Sequence, residues 1–237
     1  TQGGVLNAGP PAAIAGCLPA WVSSSSFTLG SGALDILGKP YVIPSTLTKS
    51  GLSGFSASVW LYLKAAAPAS GNELSAGEIS LDATSPSWSD TYKAWYIGSD
   101  RVIDVLRSDG SGNLAETRNN GRVVFASPSA FLSTSSPATS DTALSVGLPP
   151  LGSLLFYGSI YVSLSNAQAY QVFMSCYSAT SGNGDLIHEG YAPASYGRPF
   201  TKMASASQQV TYKTVWNGNG SLALYLHGFA LPAGMRR

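Results

Sequence analysis

Ser153-Leu-Leu-Phe-Tyr-Gly-Ser-Ile-Tyr-Val-Ser-Leu164 is the longest strand signal in the chain. Leu154, Phe156, Ile160 and Val162 fall on one side of a period-two pleat, and serines and tyrosines fall mainly on the other. Gly158 stands where a β-bulge or a close backbone approach would need it. Working outward, the same alternation recurs. Phe55–Leu63 sets Val59, Leu61 and Leu63 against Ser58, Trp60 and Tyr62. Tyr92–Leu106 is rich in aromatic and β-branched residues and is divided by Gly98-Ser99-Asp100. Arg122–Ala126 follows the turn residues Asn119-Asn120-Gly121, and Ala169–Tyr177 adds another strand. Val210–Trp216, the turn Asn217-Gly-Asn-Gly220 and Leu222–Phe229 read as a hairpin.

Between these runs lie polar or small-residue loops at Ala65–Ala76, Ser108–Gly121, Ser127–Thr142 and Ser178–Ser207. Helical signals are confined to single turns at Ser85–Thr91 and Ser127–Ser133, and no internal repeat is present. The expected fold is all-β: an antiparallel eight-stranded jelly-roll β-sandwich. Its predicted core is Val59, Leu61, Leu63, Trp95, Ile97, Val124, Leu154, Phe156, Ile160, Val162, Val172, Leu222 and Leu224.

The chain has 237 residues, of which 44% are hydrophobic, enough to build a core. Only 11% are charged, against about 25% in an ordinary domain, so long solvated faces are few. Thirteen Lys and Arg against 12 Asp and Glu leave a net charge of +1. This excludes a disordered chain, which combines low hydrophobicity with high net charge. Frequent Gly and Pro exclude a long coiled coil. No run of 18 apolar residues suggests membrane insertion. The first charged residue is Asp35. The uncharged leader, with Pro10, Pro11 and Pro19, lacks the cationic start of a signal peptide and reads as an extended N-terminal arm. The chain starts at Thr1 rather than Met, as expected of a processed or trimmed product or of one part of a longer gene product. The expected organisation is an arm over residues 1–26 and a shell domain over 27–237, with 165–237 either completing the jelly roll or forming a small C-terminal subdomain.

Chemistry-bearing residues are sparse. Cys17 and Cys176 read as small apolar thiols rather than a disulfide framework, and with His188 and His227 they give no zinc spacing. His227 shares a strand side with Tyr225, and His188 lies in the longest loop; neither sits in a nucleophile signature. Glu78 and Asp82, four apart on one strand, would stand roughly 13 Å apart by strand rise, too far for a glycosidase pair without help from Asp104 or another strand. Ser108-Asp-Gly-Ser-Gly-Asn113 reads as a turn rather than a phosphate or calcium loop. Asn219-Gly-Ser221 matches a glycosylation acceptor triplet. Arg101, Arg107, Arg118 and Arg122 form a loose basic group. Arg101 and Arg107 can share a strand face. The group could contact RNA or another subunit, or form salt bridges with Asp100, Asp104, Asp109 and Glu116. No catalytic residue, metal or cofactor is assigned. Twelve Tyr, eight Phe and five Trp on so uncharged a chain are the composition of a protein covered by its neighbours.

Ser140-Asp-Thr-Ala-Leu-Ser-Val-Gly-Leu-Pro-Pro-Leu-Gly-Ser-Leu-Leu-Phe-Tyr-Gly-Ser-Ile-Tyr-Val-Ser-Leu164 is similar to a pattern in the shell domains of tombusvirus-like coat proteins. Gly152, Leu154, Phe156, Ile160 and Val162 carry the likeness. The chain as a whole resembles the jelly-roll capsid protein of a small icosahedral positive-strand RNA virus, tombusvirus-like or picorna-like. It departs from the tombusvirus-like pattern in lacking a basic arm and in having Ser153 where an acidic residue is usual. Thr1 and the near-neutral charge suit the picorna-like variant. The resemblance implies a non-enzymatic, self-assembling structural subunit, partnered by copies of itself and sister capsid proteins. It further implies that viral RNA is held without sequence preference, with assembly in the host cytoplasm and residence in the virion. Trp21 and Val22 are the expected assembly anchors of the arm. The alternative is a secreted β-sandwich that binds or cleaves carbohydrate with Trp and Tyr faces.

Overall fold

The computed structural model describes residues 14–119, 122–164, 169–176, 185–191, 195–216 and 220–235. These form strands and connecting turns, with no helix, in several antiparallel sheets. The chain divides into two compact units. The first runs from Thr1 to Val123 and regains Leu231–Arg237; the second is Val124–Ala230. The boundaries expected after residues 26 and 164 are therefore not where the compact units separate.

The second unit holds Ser153–Leu164. Its strands are β13 (Arg122–Thr134, whose first two residues belong to the first unit), β14 (Thr142–Ser145), β15 (Leu155–Leu164), β16 (Ala169–Cys176), β17 (Asp185–Tyr191), β18 (Ser195–Met203), β19 (Gln209–Trp216) and β20 (Gly220–Ala230). One sheet has the order β18-β15-β20-β13 and the other β14-β19-β16-β17. The neighbours are nested: the first strand lies beside the last, β14 pairs with β19, β15 with β18 and β16 with β17. That nested order, with four strands of this unit in each of two sheets, is the jelly roll.

The strand pleat explains why this segment folds so. Phe156, Ile160, Val162 and Leu164 are buried while Leu155, Tyr157, Ser159 and Ser163 are half-exposed. Val172, Met174, Val210, Leu222, Leu224 and Phe229 are buried with them, and Phe131 and Phe200 stand edge-on to Phe156 at 6.1 and 5.9 Å. Gly158 takes both parts expected of it. The β15–β20 register shifts between Tyr157 and Gly158, and a Cβ at Gly158 would stand 2.5 Å from Phe200 Cζ and 2.8 Å from the Tyr225 carbonyl.

Two expectations about this unit are corrected. Val210–Trp216 and Leu222–Phe229 do not form a hairpin: β19 pairs with β14 and β16, whereas β20 pairs with β15. Both strands have a full apolar face, so the chain crosses between sheets rather than doubling back within one. Ser127–Thr134 belongs to the 13-residue β13 rather than to a loop or helical turn. Val124 is exposed rather than core, because it lies opposite Phe125, whose ring meets Phe229 at 6.5 Å.

The first unit contains β1 (Ile14–Gly16), β2 (Pro19–Ser23), β3 (Ser26–Leu29), β4 (Gly32–Ile36), β5 (Lys39–Ile43), β6 (Leu47–Lys49), β7 (Trp60–Ala65), β8 (Ile79–Asp82), β9 (Ser87–Ser89), β10 (Ala94–Ile97), β11 (Asp100–Arg107) and β12 (Thr117–Asn119). They are ordered β1-β4-β5, β8-β7-β11-β10-β9 and β12-β2-β3-β6. Phe27, Leu29, Leu34, Ile36, Leu61, Leu63 and Ile103 belong to one buried cluster. Gly98, at φ +62°, lets the chain reverse between β10 and β11, as the sequence implies.

The described part of the arm is woven into this unit. Ile14 pairs with Leu34 and Pro19 with Leu29, and Ile14 and Cys17 are buried. Residues 1–13 lie outside the described residues. The pleat of β10 is opposite to expectation: Ala94 and Tyr96 are buried, Trp95 and Ile97 half-exposed. The register opposes Trp95 to Trp88, and their rings meet edge to face at 5.5 Å, so the indoles pack on each other rather than in the core. Val59, just ahead of β7, is half-buried against the cluster.

Candidate functional site

The four arginines all lie in the first unit. Arg101 is 0% exposed, so it cannot contact RNA. Its Nη2 donates to the Gly234 carbonyl at 2.6 Å, and its guanidinium sits 5.8 Å from the centre of the Tyr96 ring. Nor does it share a face with Arg107. A register shift between Val102 and Asp104 places Arg101 opposite Ala65 and Arg107 opposite Trp60. Ala65 and Trp60 are an odd number of residues apart on β7 and so face opposite ways. Arg107 lies 5.2 Å from the Trp60 ring centre, and burial lowers its pKa. Arg118 and Arg122 are the exposed members.

Arg118 lies opposite Ala20 where β12 meets β2. A pocket of about 290 Å³ there is lined by Pro19, Ala20, Trp21, Glu116, Thr117, Arg118 and Asn119. Glu116 beside Arg118 counters its charge, so the pocket is a poor phosphate site. Trp21 is anchored within its own unit: it packs on the buried cluster and its Nε1 donates to the Leu114 carbonyl at 3.3 Å. Val22 is 52% exposed, at the irregularity between Trp21 and Ser23 in the β2–β3 ladder.

Asp82 and Glu78 are held as anions. Lys64 Nζ lies 3.0 Å from Asp82 and 3.1 Å from Asp100. The Thr84 backbone N–H, then the Thr84 side chain and Lys64, hold the Asp82 carboxyl below its ordinary value. Glu78 is lowered by the Ser75 hydroxyl and backbone N–H. A glycosidase acid needs the opposite shift. Asp104 is buried and its Oδ1 accepts from Asn119 Nδ2 at 2.6 Å and from the Val105 N–H at 2.7 Å. Asp109 Oδ1 accepts from the Ser111 and Asn113 backbone N–H groups, which closes the expected turn.

In the second unit, Ser159 Oγ and His227 Nε2 are 2.8 Å apart on half-exposed strand positions. Among the described residues no carboxylate is hydrogen-bonded to the His227 ring to orient it, as a nucleophile–base pair needs. His188 is corrected from loop to strand β17. It is buried, its Nε2 lies 2.8 Å from the Tyr170 hydroxyl, and its Nδ1 has no hydrogen-bond partner. Burial, then Arg198, lowers its pKa, while Glu189 raises it. Sequence reasoning missed this pair because Gly190 interrupts the strand pattern; Gly190 is required there, since a Cβ would stand 2.7 Å from the Tyr170 hydroxyl oxygen. Near it, Ala169, Gln171, Glu189 and Val215 line part of a pocket of about 470 Å³.

Aromatic platforms for sugar are not formed by Trp88 and Trp95. Their rings lie 64° apart, and their N–H groups donate to Asp90 and to the Ala233 carbonyl. Cys17 is a buried thiol whose Sγ lies 3.7 Å from the Ala15 carbonyl. The side chain of Cys176 and residue Asn219 lie outside the described residues. Among the described residues no helix is long and apolar enough to cross a membrane.

No protein-family model matches the chain, and no curated protein matches it. Among solved structures it is similar to the structure of infectious bursal disease virus, Gx strain. The identity is 11%, over 92% of this chain and 72% of that one, with a TM-score of 0.20. A superposition at that score does not establish a common fold.

Proposed function

We propose that the chain is a structural subunit of an icosahedral virus capsid. It assembles with copies of itself and with sister capsid proteins, holds RNA without reading its sequence, and performs no catalysis. It assembles in the host cytoplasm and resides in the virion. The observation that carries this reading is the nested eight-strand order of Val124–Ala230. Jelly rolls also serve lectins and cupins. What favours a capsid is the company the fold keeps: 11% charged residues, a net charge of +1 and abundant Tyr and Trp. Such a surface is suited to being covered by neighbouring subunits rather than to standing in water.

Negative-stain electron microscopy and sedimentation of the purified full chain test the proposal. Closed shells, or particles in the megadalton range, are the expected result. A monomer or small oligomer that binds glycans would overturn it in favour of a secreted carbohydrate-binding protein.

A further inference from the structure

The sheet β18-β15-β20-β13 has two sides of different chemistry. One carries Phe156, Ile160 and Leu224 into the jelly-roll core. On the other, β15 presents Tyr157, Ser159 and Tyr161, and the register sets Thr201, Pro199 and Tyr225 beside them. On β13, Phe125 and Phe131 lie against Phe229 and Phe156, so the pleat sends Val124, Ala126, Pro128 and Ala130 outward. Within Val124–Ala230, the outward pleat positions of these four strands carry no Asp, Glu, Lys or Arg. Tyr161 is 42% exposed, Met203 41% and Val124 39%.

From the strand rise and spacing, a sheet of this length and four strands presents roughly 600 Å². Contiguous apolar patches on monomers rarely exceed a few hundred Å². Two such faces together bury about 1,200 Å², the lower end of a specific interface. We propose that this face is an interface between two copies of the chain, related by a two-fold axis. An isologous contact lays one patch on itself, which a charged face resists and an uncharged face permits. Tyrosine and proline supply contact area at small entropic cost. His227, beside Ser159, is the titratable group on this face, and Arg122, two residues before Val124 on the same side of β13, stands at its margin; between them the face offers RNA or a charged partner little to pair with. The inference deepens the reading of the chain as a self-assembling subunit, and names the surface that reading would use.

Sedimentation velocity of the full chain over a concentration series is expected to show a species of twice the chain mass. Tyr161→Lys and Met203→Lys should each weaken it roughly tenfold or more, because each buries an unpaired charge in the contact. Thr211→Lys, outward on β19 in the other sheet, should leave it unchanged. Far-UV circular dichroism and thermal midpoints establish that the variants fold. A parent chain that stays monomeric overturns the proposal and leaves the face to a different chain or to a glycan. Undiminished association of the folded Tyr161→Lys, Met203→Lys double variant also overturns it. Micrographs separate the two readings. Shells formed by the double variant at parental yield refute the face and keep the capsid. A dimer broken by the variants, in a parent that never forms shells, keeps the face and refutes the capsid.

Discussion

Gly158 faces Phe200 across β15 and β18, and the edge of the Phe200 ring lies 2.5 Å from where a Cβ on Gly158 would be. The ring has little room to move, since it stands edge-on to Phe156 at 5.9 Å. The Tyr225 carbonyl closes the remaining space at 2.8 Å. Gly158→Ala should therefore destabilise the jelly roll by about 1–3 kcal/mol, the usual cost of overpacking. Gly197→Ala is the matched control. There a Cβ would meet the Ile160 carbonyl and Tyr161 at 3.8 Å, an ordinary contact. Thermal or urea unfolding of both variants checks the difference. Equal midpoints would mean that Phe200 does not occupy this position.

The jelly roll was legible from the alternation of Leu154, Phe156, Ile160 and Val162, all of which are buried. Pattern says which residues face inward, but not which strands pair. Asn217–Gly220 has the composition of a hairpin turn, yet β19 and β20 belong to different sheets. A residue preference for positive φ carries no information about the sheet the next strand joins. Arg101 and Arg107 illustrate a second limit: six residues on a regular strand share a face, and the bulge near Ile103 reverses that parity. Trp95 illustrates a third, since its partner Trp88 lies across a register that only pairing defines. The buried His188–Tyr170 bond was hidden in a stretch whose glycine and serine content reads as loop.

His188 makes the second unit acid-sensitive. Burial and the nearby Arg198 hold its pKa below the ordinary 6.5, against the opposing pull of Glu189. Above that ordinary value both folded and unfolded chains carry a neutral imidazole. As pH falls below it, the unfolded chain takes up a proton that the folded chain resists, so stability declines until the folded group also titrates. The unfolding midpoint of the jelly roll should fall as pH drops through the ordinary imidazole value of 6.5. His188→Phe should flatten that part of the profile while lowering the plateau, because the Tyr170 hydroxyl loses its partner at 2.8 Å. A profile unchanged by the substitution would show that His188 is not the titrating group.

Deleting residues 1–22 should damage the first unit rather than merely disarm assembly. The deletion removes β1 and most of β2, takes Ile14 and Cys17 out of the core, and breaks the ladder from Pro19 to Leu29. Ile14→Ala alone should cost about 2–4 kcal/mol, as buried large-to-small substitutions do. The second unit has its own core, so limited proteolysis of the deleted chain should leave a resistant fragment spanning about Val124 to Ala230. A deletion variant with the parental unfolding midpoint would show that these strands contribute little, and would return the arm to a role between subunits.

Of the four arginines, Arg118 and Arg122 are the two whose side chains are exposed. Arg101 is enclosed, with its Nη2 on the Gly234 carbonyl, and Arg107 covers Trp60. Affinity for single-stranded RNA falls with salt by a slope of about 0.7 for each phosphate neutralised. The double substitution Arg118→Glu, Arg122→Glu should therefore weaken non-specific RNA binding and flatten the log affinity against log salt plot by about 1–2. Arg101→Met should leave that slope unchanged and instead lower the stability of the first unit, since the Gly234 carbonyl loses its donor at 2.6 Å. Filter binding over a salt series, alongside thermal unfolding, reads both effects. An unchanged slope in the double variant would remove these arginines from RNA contact, and a slope altered by Arg101→Met in a folded protein would contradict its enclosure.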